Sequence, residues 1–332
     1  MSQTSPQTVP EPVSHKIHAS TWSKVFAMRE AGTLAALVIM VLVIAVAIPQ
    51  FRQWENLVNI TRNFSFVGIV ALGMTLVILT GGIDLSVGSV WGMTAVLTAF
   101  LMSNGWQIVP AILTGLLAAA AVGTFNGLCI TRLNMSPFVP TLASLSIARA
   151  LALIITHGRP ISKFGPDQTA FYWLGGGEIA GVPNPFILFV VMAIIFWVVT
   201  SRTVWGRRVY AVGGNEKAAR LTGLNVREIK VSVYIISALC AGIAGIVQAS
   251  YLSSVTASLA TGEELAVIAA TVIGGVNLSG GEGTIFGVVL GTVMLEVLRN
   301  GLLLFGIDPY WQGVFVGGII VVAVSLDRLR KH

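Results

Sequence analysis

Nine apolar runs of helical length, at about 32–48, 64–80, 85–103, 107–130, 138–156, 184–200, 231–250, 284–305 and 310–326, constrain this chain more than any other feature. A helix rises about 1.5 Å per residue, so roughly 20 apolar residues cross a hydrocarbon core of about 30 Å. Apolar residues make up 55% of the 332 and charged residues only 10%, with a mean hydropathy of +0.84. A soluble domain carries about a quarter charged side chains, and there are too few here to cover a soluble surface. The reading is an all-α polytopic membrane protein.

Parity settles the count. A shorter run, Leu265 to Leu278, is of re-entrant length. The loop 201–230 carries Arg202, Arg207, Arg208, Lys217, Arg220, Arg227 and Lys230 against Glu216 and Glu228, which places it in the cytoplasm. The basic end, Asp327 to Lys331, belongs on the same side, so the crossings between them are even in number. Counting 265–278 as a full span satisfies this and gives about ten transmembrane helices with both termini cytoplasmic. The organisation expected is a disordered cytoplasmic tail at 1–30, a transmembrane domain at 31–328 with the loop at about 201–230, and a cytoplasmic tail at 329–332. The opening segment is rich in Pro, Ser, Thr and Gln and lacks the apolar run of a cleavable signal. Arg52 and Arg62 against Glu55 in the outer loop 49–63 run against the charge rule, but the larger loop outweighs them.

The formal charge of +6 and the pI near 9.6 follow from basic cytoplasmic loops. No basic run interleaved with aromatics points to nucleic acid. Cys129 and Cys240 sit in apolar stretches without metal or redox spacing and read as buried free thiols. The chain carries no G-x-x-x-x-G-K-[ST] phosphate loop, no HExxH, no His/Cys cluster and no G-x-S-x-G elbow. No catalytic residue, metal site or cofactor is therefore assigned to it, and any ATP chemistry belongs to another polypeptide.

Two short passages share the pattern G-G-x-D/N-L-S. The first contains Gly81, Gly82, Asp84 and Ser86; the second runs from Gly274 to Gly283 and contains Asn277 and Ser279. A glycine pair frees the backbone from helical dihedrals, and Asp84 then stands where a new helix begins, either as its N-cap or as a gating residue. Both passages lie on the cytoplasmic side of this topology, so they do not form an inverted repeat. Small residues four apart (Gly88 and Gly92, Gly123 and Gly127, Gly283, Gly287 and Gly291, Gly313 and Gly317) put bare backbone on one helix stripe and allow close helix contact. The loop Trp205 to Val226 is helix-prone from Asn215 to Leu221, with Asn215 as cap, Gly223 as stop, and Ala218, Ala219 and Leu221 on an apolar side. It reads as either a basic loop facing lipid headgroups or, better, a docking knob for a cytoplasmic partner. At membrane depth, Arg149 stands alone, Glu296 and Arg299 are spaced for an i,i+3 ion pair, and Asn126 and Gln248 either line a path or bond neighbouring helices.

GGIDLSVGS, GRRVYAVGGNEKAARLTGLNV and IGGVNLSGGEGTIFG, in that order, resemble the permease subunits of bacterial ABC importers for monosaccharides, the ribose, xylose, arabinose and galactose group. The likeness runs from about 64 to 326. It implies an inner-membrane permease that pairs with a second permease subunit, identical or paralogous, and passes a monosaccharide by alternating access. It also implies a periplasmic sugar-binding protein and a separate cytoplasmic ATP-binding subunit that holds ATP and Mg. The coupling residues expected are Gly206, Arg207, Arg208, Gly213, Asn215, Glu216, Ala218, Ala219 and Gly223. The gating and substrate path is expected at Gly81, Gly82, Asp84, Ser86, Asn126, Gln248, Asn277 and Ser279. The rival reading is an ion-coupled secondary sugar transporter, for which Asp84 and Glu296 are the suitable intramembrane carboxylates; the basic, glycine-bounded loop argues against it.

Overall fold

A computed structural model describes residues 30–308, 310–315, 317, 318 and 321; the expected tails, except Glu30, and part of the apolar run at 310–326 lie outside them. In chain order the elements are α1 (Ala31–Ala47), a 3-10 turn (Pro49–Arg52), α2 (Trp54–Leu79), α3 (Val87–Ser103), α4 (Ile108–Arg132), α5 (Phe138–Thr156) and α6 (Gln168–Gly176). A hairpin follows, β1 (Glu178–Ile179) and β2 (Val182–Pro183), then α7 (Asn184–Arg202), α8 (Val204–Gly214), α9 (Glu216–Leu221), α10 (Val226–Leu252), α11 (Glu263–Ile273) and α12 (Ile285–Leu304). Among the described residues six helices, α2, α4, α5, α7, α10 and α12, are long and apolar enough to cross a membrane, and α1 and α3 are shorter apolar helices. The segment expected to cross at 265–278 contains an 11-residue helix. That is about 16 Å of rise, half a hydrocarbon core.

Hydrocarbon offers no partner for a backbone amide, so the sequence must keep helices intact there. Pro110, Pro140 and Pro185 all fall in the first turn of their helices, where the missing N–H has no intrahelical partner anyway. Hydroxyls inside the spans bond back to their own helix: Thr75 to Ala71, Thr124 to Ala120, Thr156 to Ala152 and Thr271 to Val267. These four hydroxyls are thereby satisfied without leaving their own helices.

The centre of the bundle is α2, continuously buried from Phe64 to Leu79. Around it pack α10, α12, α7 and α11, with α3 and α4 closing on α10. The glycine spacing explains how close α4 comes to α10. A Cβ on Gly123 would lie 2.5 Å from the Tyr234 carbonyl oxygen, and one on Gly127 would lie 2.8 Å from Val231 Cα. Those contacts exist because no side chain intervenes. Of the other pairs expected, Gly313 and Gly317 have nothing within 4 Å in this chain, and Gly283 precedes α12 instead of joining its stripe. Outward faces carry exposed apolar side chains such as Val46, Leu117, Ile154 and Ile194.

Contacts sort the loops onto two ends. At one end Thr33 bonds Ile273, Glu30 bonds Thr284, and the 281 amide bonds the Leu79 carbonyl. At the other, Asn56 and Asn300 exchange amide hydrogen bonds and Arg62 pairs with Glu178. The segment α8–α9 lies at the first end, and the 157–183 and 253–262 segments lie at the second.

Adding a methyl group separates the two kinds of glycine. Gly123→Ala is expected to destabilise the fold by about 1–3 kcal/mol through overpacking. Gly32→Ala, where nothing lies within 4 Å, should be neutral or slightly stabilising. Thermal unfolding of both variants in detergent checks this, and an equal effect at the two positions would contradict the packing described.

Candidate functional site

Between α2 and α3 the backbone leaves helical geometry, and there the chain buries a carboxylate completely. Asp84 is 0% exposed. Its Oδ1 accepts from the Ser86 amide at 3.0 Å and from Ser86 Oγ at 2.6 Å, while Oδ2 accepts from Ser237 Oγ at 3.1 Å. Ser86 Oγ in turn accepts from Asn126 Nδ2 at 3.0 Å, and Asn126 Oδ1 accepts from Ser144 Oγ at 2.6 Å. One buried polar string thus ties α5, α4, the start of α3 and α10 together. Low local dielectric strengthens such a string and makes any broken member costly.

Asp84 is not the N-cap expected from the sequence. The cap position of α3 is Ser86, which makes no side-chain capping bond. Asp84 stands two residues earlier and closes an Asx turn on the Ser86 amide, while its second oxygen reaches α10. Asn277 repeats this turn, accepting from the Ser279 amide at 2.9 Å. The shared D/N-L-S pattern is therefore one local turn used twice.

The two loops meet. The Gly281 amide donates to the Leu79 carbonyl at 2.9 Å, and a Cβ on Gly280 would lie 2.9 Å from the Gly81 nitrogen. Gly213, near the end of α8, enters the same contact: a Cβ there would strike the Leu79 carbonyl and lie 2.6 Å from the Gly281 nitrogen. Tyr210, also on α8, donates to the Gly283 carbonyl at 2.8 Å. Gly82 leaves room for Tyr234, whose hydroxyl reaches the Ile83 carbonyl at 3.4 Å. Glycine is required at this junction by close approach of three backbones.

The loop read as helix-prone from Asn215 to Leu221 is two helices, α8 and α9, joined at Asn215. Thr203 caps α8 on the Gly206 amide, and Asn215 caps α9 on the Ala218 amide at 2.9 Å. Gly223, at φ +81, ends α9 as expected. Arg207 and Arg208 are exposed, while Val209 and Val212 are buried. The single apolar side expected of α9 is corrected: Ala219 is turned inward at 5% exposure, whereas Ala218 faces out and Leu221 is 89% exposed. Adjacent helical positions lie about 100° apart, so neighbours cannot share a face. Gly206 packs under the last turn of α7. Glu216 holds Arg220 at 2.6 Å and Lys230 at 2.7 Å. Partial burial works to raise its carboxyl, but the hydrogen bonds and charges of Lys230 and Arg220 hold it below the usual value.

Gln248 does not join the string. It lies on α10, about 16 Å beyond Ser237 at 1.5 Å per residue, toward the opposite end of the bundle. The ion pair expected between Glu296 and Arg299 is not made. Arg299 donates instead to Glu263 at 3.1 Å. Arg149 reaches from α5 to the carbonyls of Ala257 and Leu259 and fixes the loop before α11. Ser144 and Ser237 escaped sequence reasoning, because a lone serine in an apolar helix carries no signal of its partner; only the amide of Asn126 hinted at a crossing bond. Cys240 is buried and Cys129 half-buried, both free, and among the described residues no His, Cys, Asp and Glu cluster could hold a metal.

The family model for the permease component of branched-chain amino acid transport systems matches residues 56–324. The chain belongs to this permease family. The permease is 40% identical over 304 residues to the ribose import permease of Bacillus subtilis strain 168, covering 92% of this chain and 94% of that one. It is 36% identical over 305 residues to the ribose import permease of Escherichia coli K12, covering 92% and 95%. To the D-allose transport system permease of the same strain it is 35% identical over 302 residues, covering 90% and 91%. No solved structure matches the permease significantly. Family and apolar helices together make it a multi-pass inner-membrane transport subunit.

Removing the Asp84 carboxylate leaves three buried donors without an acceptor, each costing about 1–3 kcal/mol. Asp84→Ala is expected to lower transport at least tenfold at matched membrane levels. Asp84→Asn, which keeps Oδ1 for the Ser86 amide, should lose much less. Uptake in cells carrying each variant decides, and equal loss in both would show that charge, not the turn, is what matters.

Proposed function

We propose that this permease carries a monosaccharide of the ribose or allose kind across the inner membrane, by alternating access driven by ATP hydrolysis on a separate chain. The observation that carries this reading is the likeness to ribose and allose permeases across nine-tenths of the chain. A periplasmic binding protein delivers the sugar, and a second permease subunit, identical or paralogous, completes the path.

In this reading the ATP-binding subunit, with its ATP and Mg, docks on the outward side of α8–α9, against Arg207, Arg208, Ala218 and Leu221. What supports the assignment is mechanical. The same two helices present a basic, partly apolar outer surface and, through Gly213 and Tyr210, touch both glycine loops on their inner side. A push on α8 therefore reaches the turn held by Asp84. Ten crossings with both termini cytoplasmic remain part of the proposal. In its support, Arg62, which counted against the charge rule, is 7% exposed, paired with Glu178 and stacked 4.6 Å over Tyr251. It is a buried structural cation, so the outer loop is less basic than its sequence suggests.

Ala218→Trp is expected to abolish sugar-stimulated ATP hydrolysis in the reconstituted importer while the permease remains folded and inserted. Unchanged stimulation would reject the docking surface. A cysteine placed beside Lys331 should resist a membrane-impermeant maleimide in intact cells, and rapid labelling would sink the ten-crossing topology.

A further inference from the structure

At the α8–α9 end of the bundle, where α4 gives way to α5, the chain leaves an open cavity of about 200 Å³. One wall is the 130–137 connection. The other is Glu216 and Arg220 of α9 with Arg227 and Lys230 from the start of α10. The connection joins two helices of membrane-crossing length, so the cavity lies at the depth of lipid headgroups. Three cations face one carboxylate there. Glu216 takes one bond from Lys230 and two from Arg220, but a guanidinium has five N–H donors and an ammonium three, so both keep donors to spare. The Arg220 side chain is 61% exposed. Arg227 is exposed and makes no ion pair among the described residues. These charged groups are open to a ligand that enters from the membrane surface.

The surplus of positive charge selects an anion, and several donors converging on one space suit a group with several acceptor oxygens. A phosphate is such a group, and arginine matches it with paired N–H bonds. Beside the cavity Leu133, Phe138 and Leu142 are 63%, 57% and 42% exposed, an apolar strip that begins at the cavity and continues along α5. Cations at headgroup depth with an apolar strip leading away from them match the two parts of a phospholipid. A zwitterionic headgroup would bring an ammonium into a space that already holds two more cations than anions. A second copy of this chain, placed on a two-fold axis through this face, would set the same basic surface against itself. We propose that this cavity binds the phosphate of an anionic phospholipid such as phosphatidylglycerol, with Arg220, Arg227 and Lys230 as donors and the acyl chains along α5. Glu216 and Arg220, one turn apart, share a face of α9 that Ala218 and Leu221 do not. The lipid therefore lies on a different side of α9 from the docking surface proposed above and ties that helix to the 130–137 connection.

The test uses the full-length permease in an uncharged detergent, given phosphatidylglycerol, phosphatidylcholine or inorganic phosphate, with bound molecules counted by native mass spectrometry. Phosphatidylglycerol should be retained in preference to phosphatidylcholine, and equal retention of the two overturns the proposal. Arg227→Gln is expected to weaken retention about fivefold, the worth of one basic side chain at a membrane surface, and Arg227→Lys should restore most of it. Arg227 is exposed and unpaired, so thermal unfolding of both variants should match the wild type. Arg202→Gln removes an exposed charge from the last turn of α7, outside the cavity, and should change nothing. Equal loss in Arg202→Gln and Arg227→Gln would mean diffuse attraction to the membrane surface and would reject the cavity. Displacement of the lipid by an equal concentration of inorganic phosphate would make this a site for free anions and reject the lipid. A cysteine at Asn134 that cross-links two copies in native membranes would put a second subunit there instead. None of these outcomes depends on the sugar carried.

Discussion

A backbone group left in hydrocarbon without a hydrogen-bond partner costs several kcal/mol, and a chain has one at every residue that leaves the helix. Helices avoid the problem by construction. The two stretches that abandon the helix here, 80–86 and 274–284, must solve it another way, and the solutions define the working parts. In the first, one carboxylate accepts from its own turn and from α10. In the second, an amide closes the same turn and a glycine amide donates to the end of α2. Irregular backbone survives because it is enclosed by protein and each loop serves as partner for another.

That arrangement places two kinds of contact at opposite depths of the same helices. Near the α8–α9 end, α3 and α10 are joined by the string from Asp84 to Ser144; toward the other end they frame a polar cavity. A push on α8 that reaches the turn at Asp84 would bias this pair of helices, and any event coupled to it must distinguish between the arrangements of one shared element.

Much of this was legible in the sequence, and the limits have physical causes. Apolar length located α3, α4, α5, α7 and α12 to within a few residues, because hydrocarbon thickness dictates it. It missed the first ten residues of α2, where Trp54 to Asn63 are polar enough to read as loop, although the helix continues through them. It also missed α6 and the hairpin after it, whose polarity resembles any outer loop. At the site, Gly81, Gly82, Asp84 and Ser86 were readable as one motif because a glycine pair before an acid is unusual at that depth, and Asn126 was picked out separately, as an amide that lines a path or bonds a neighbouring helix. Their partners Ser144 and Ser237 were not, since a hydroxyl reads the same whether it bonds its own helix or the next. The Glu296–Arg299 spacing misled for a related reason: local geometry permits a pair that the three-dimensional neighbour Glu263 takes over.

The meeting of Gly81, Gly213, Gly280 and Gly281 has one further consequence. Side chains that transmit force between elements also absorb it, because a rotamer jump can take up an ångström of displacement without moving anything beyond it. This junction contains almost none. It works like a bearing with metal on metal, in which a shift of α8 must be passed on to the turn at Asp84 or be resisted outright. Such a linkage has no slack to tune. Substitutions elsewhere in the permease can stiffen or soften the response to a shift of α8, but at Gly213, Gly280 and Gly281 any side chain would collide with a neighbouring backbone.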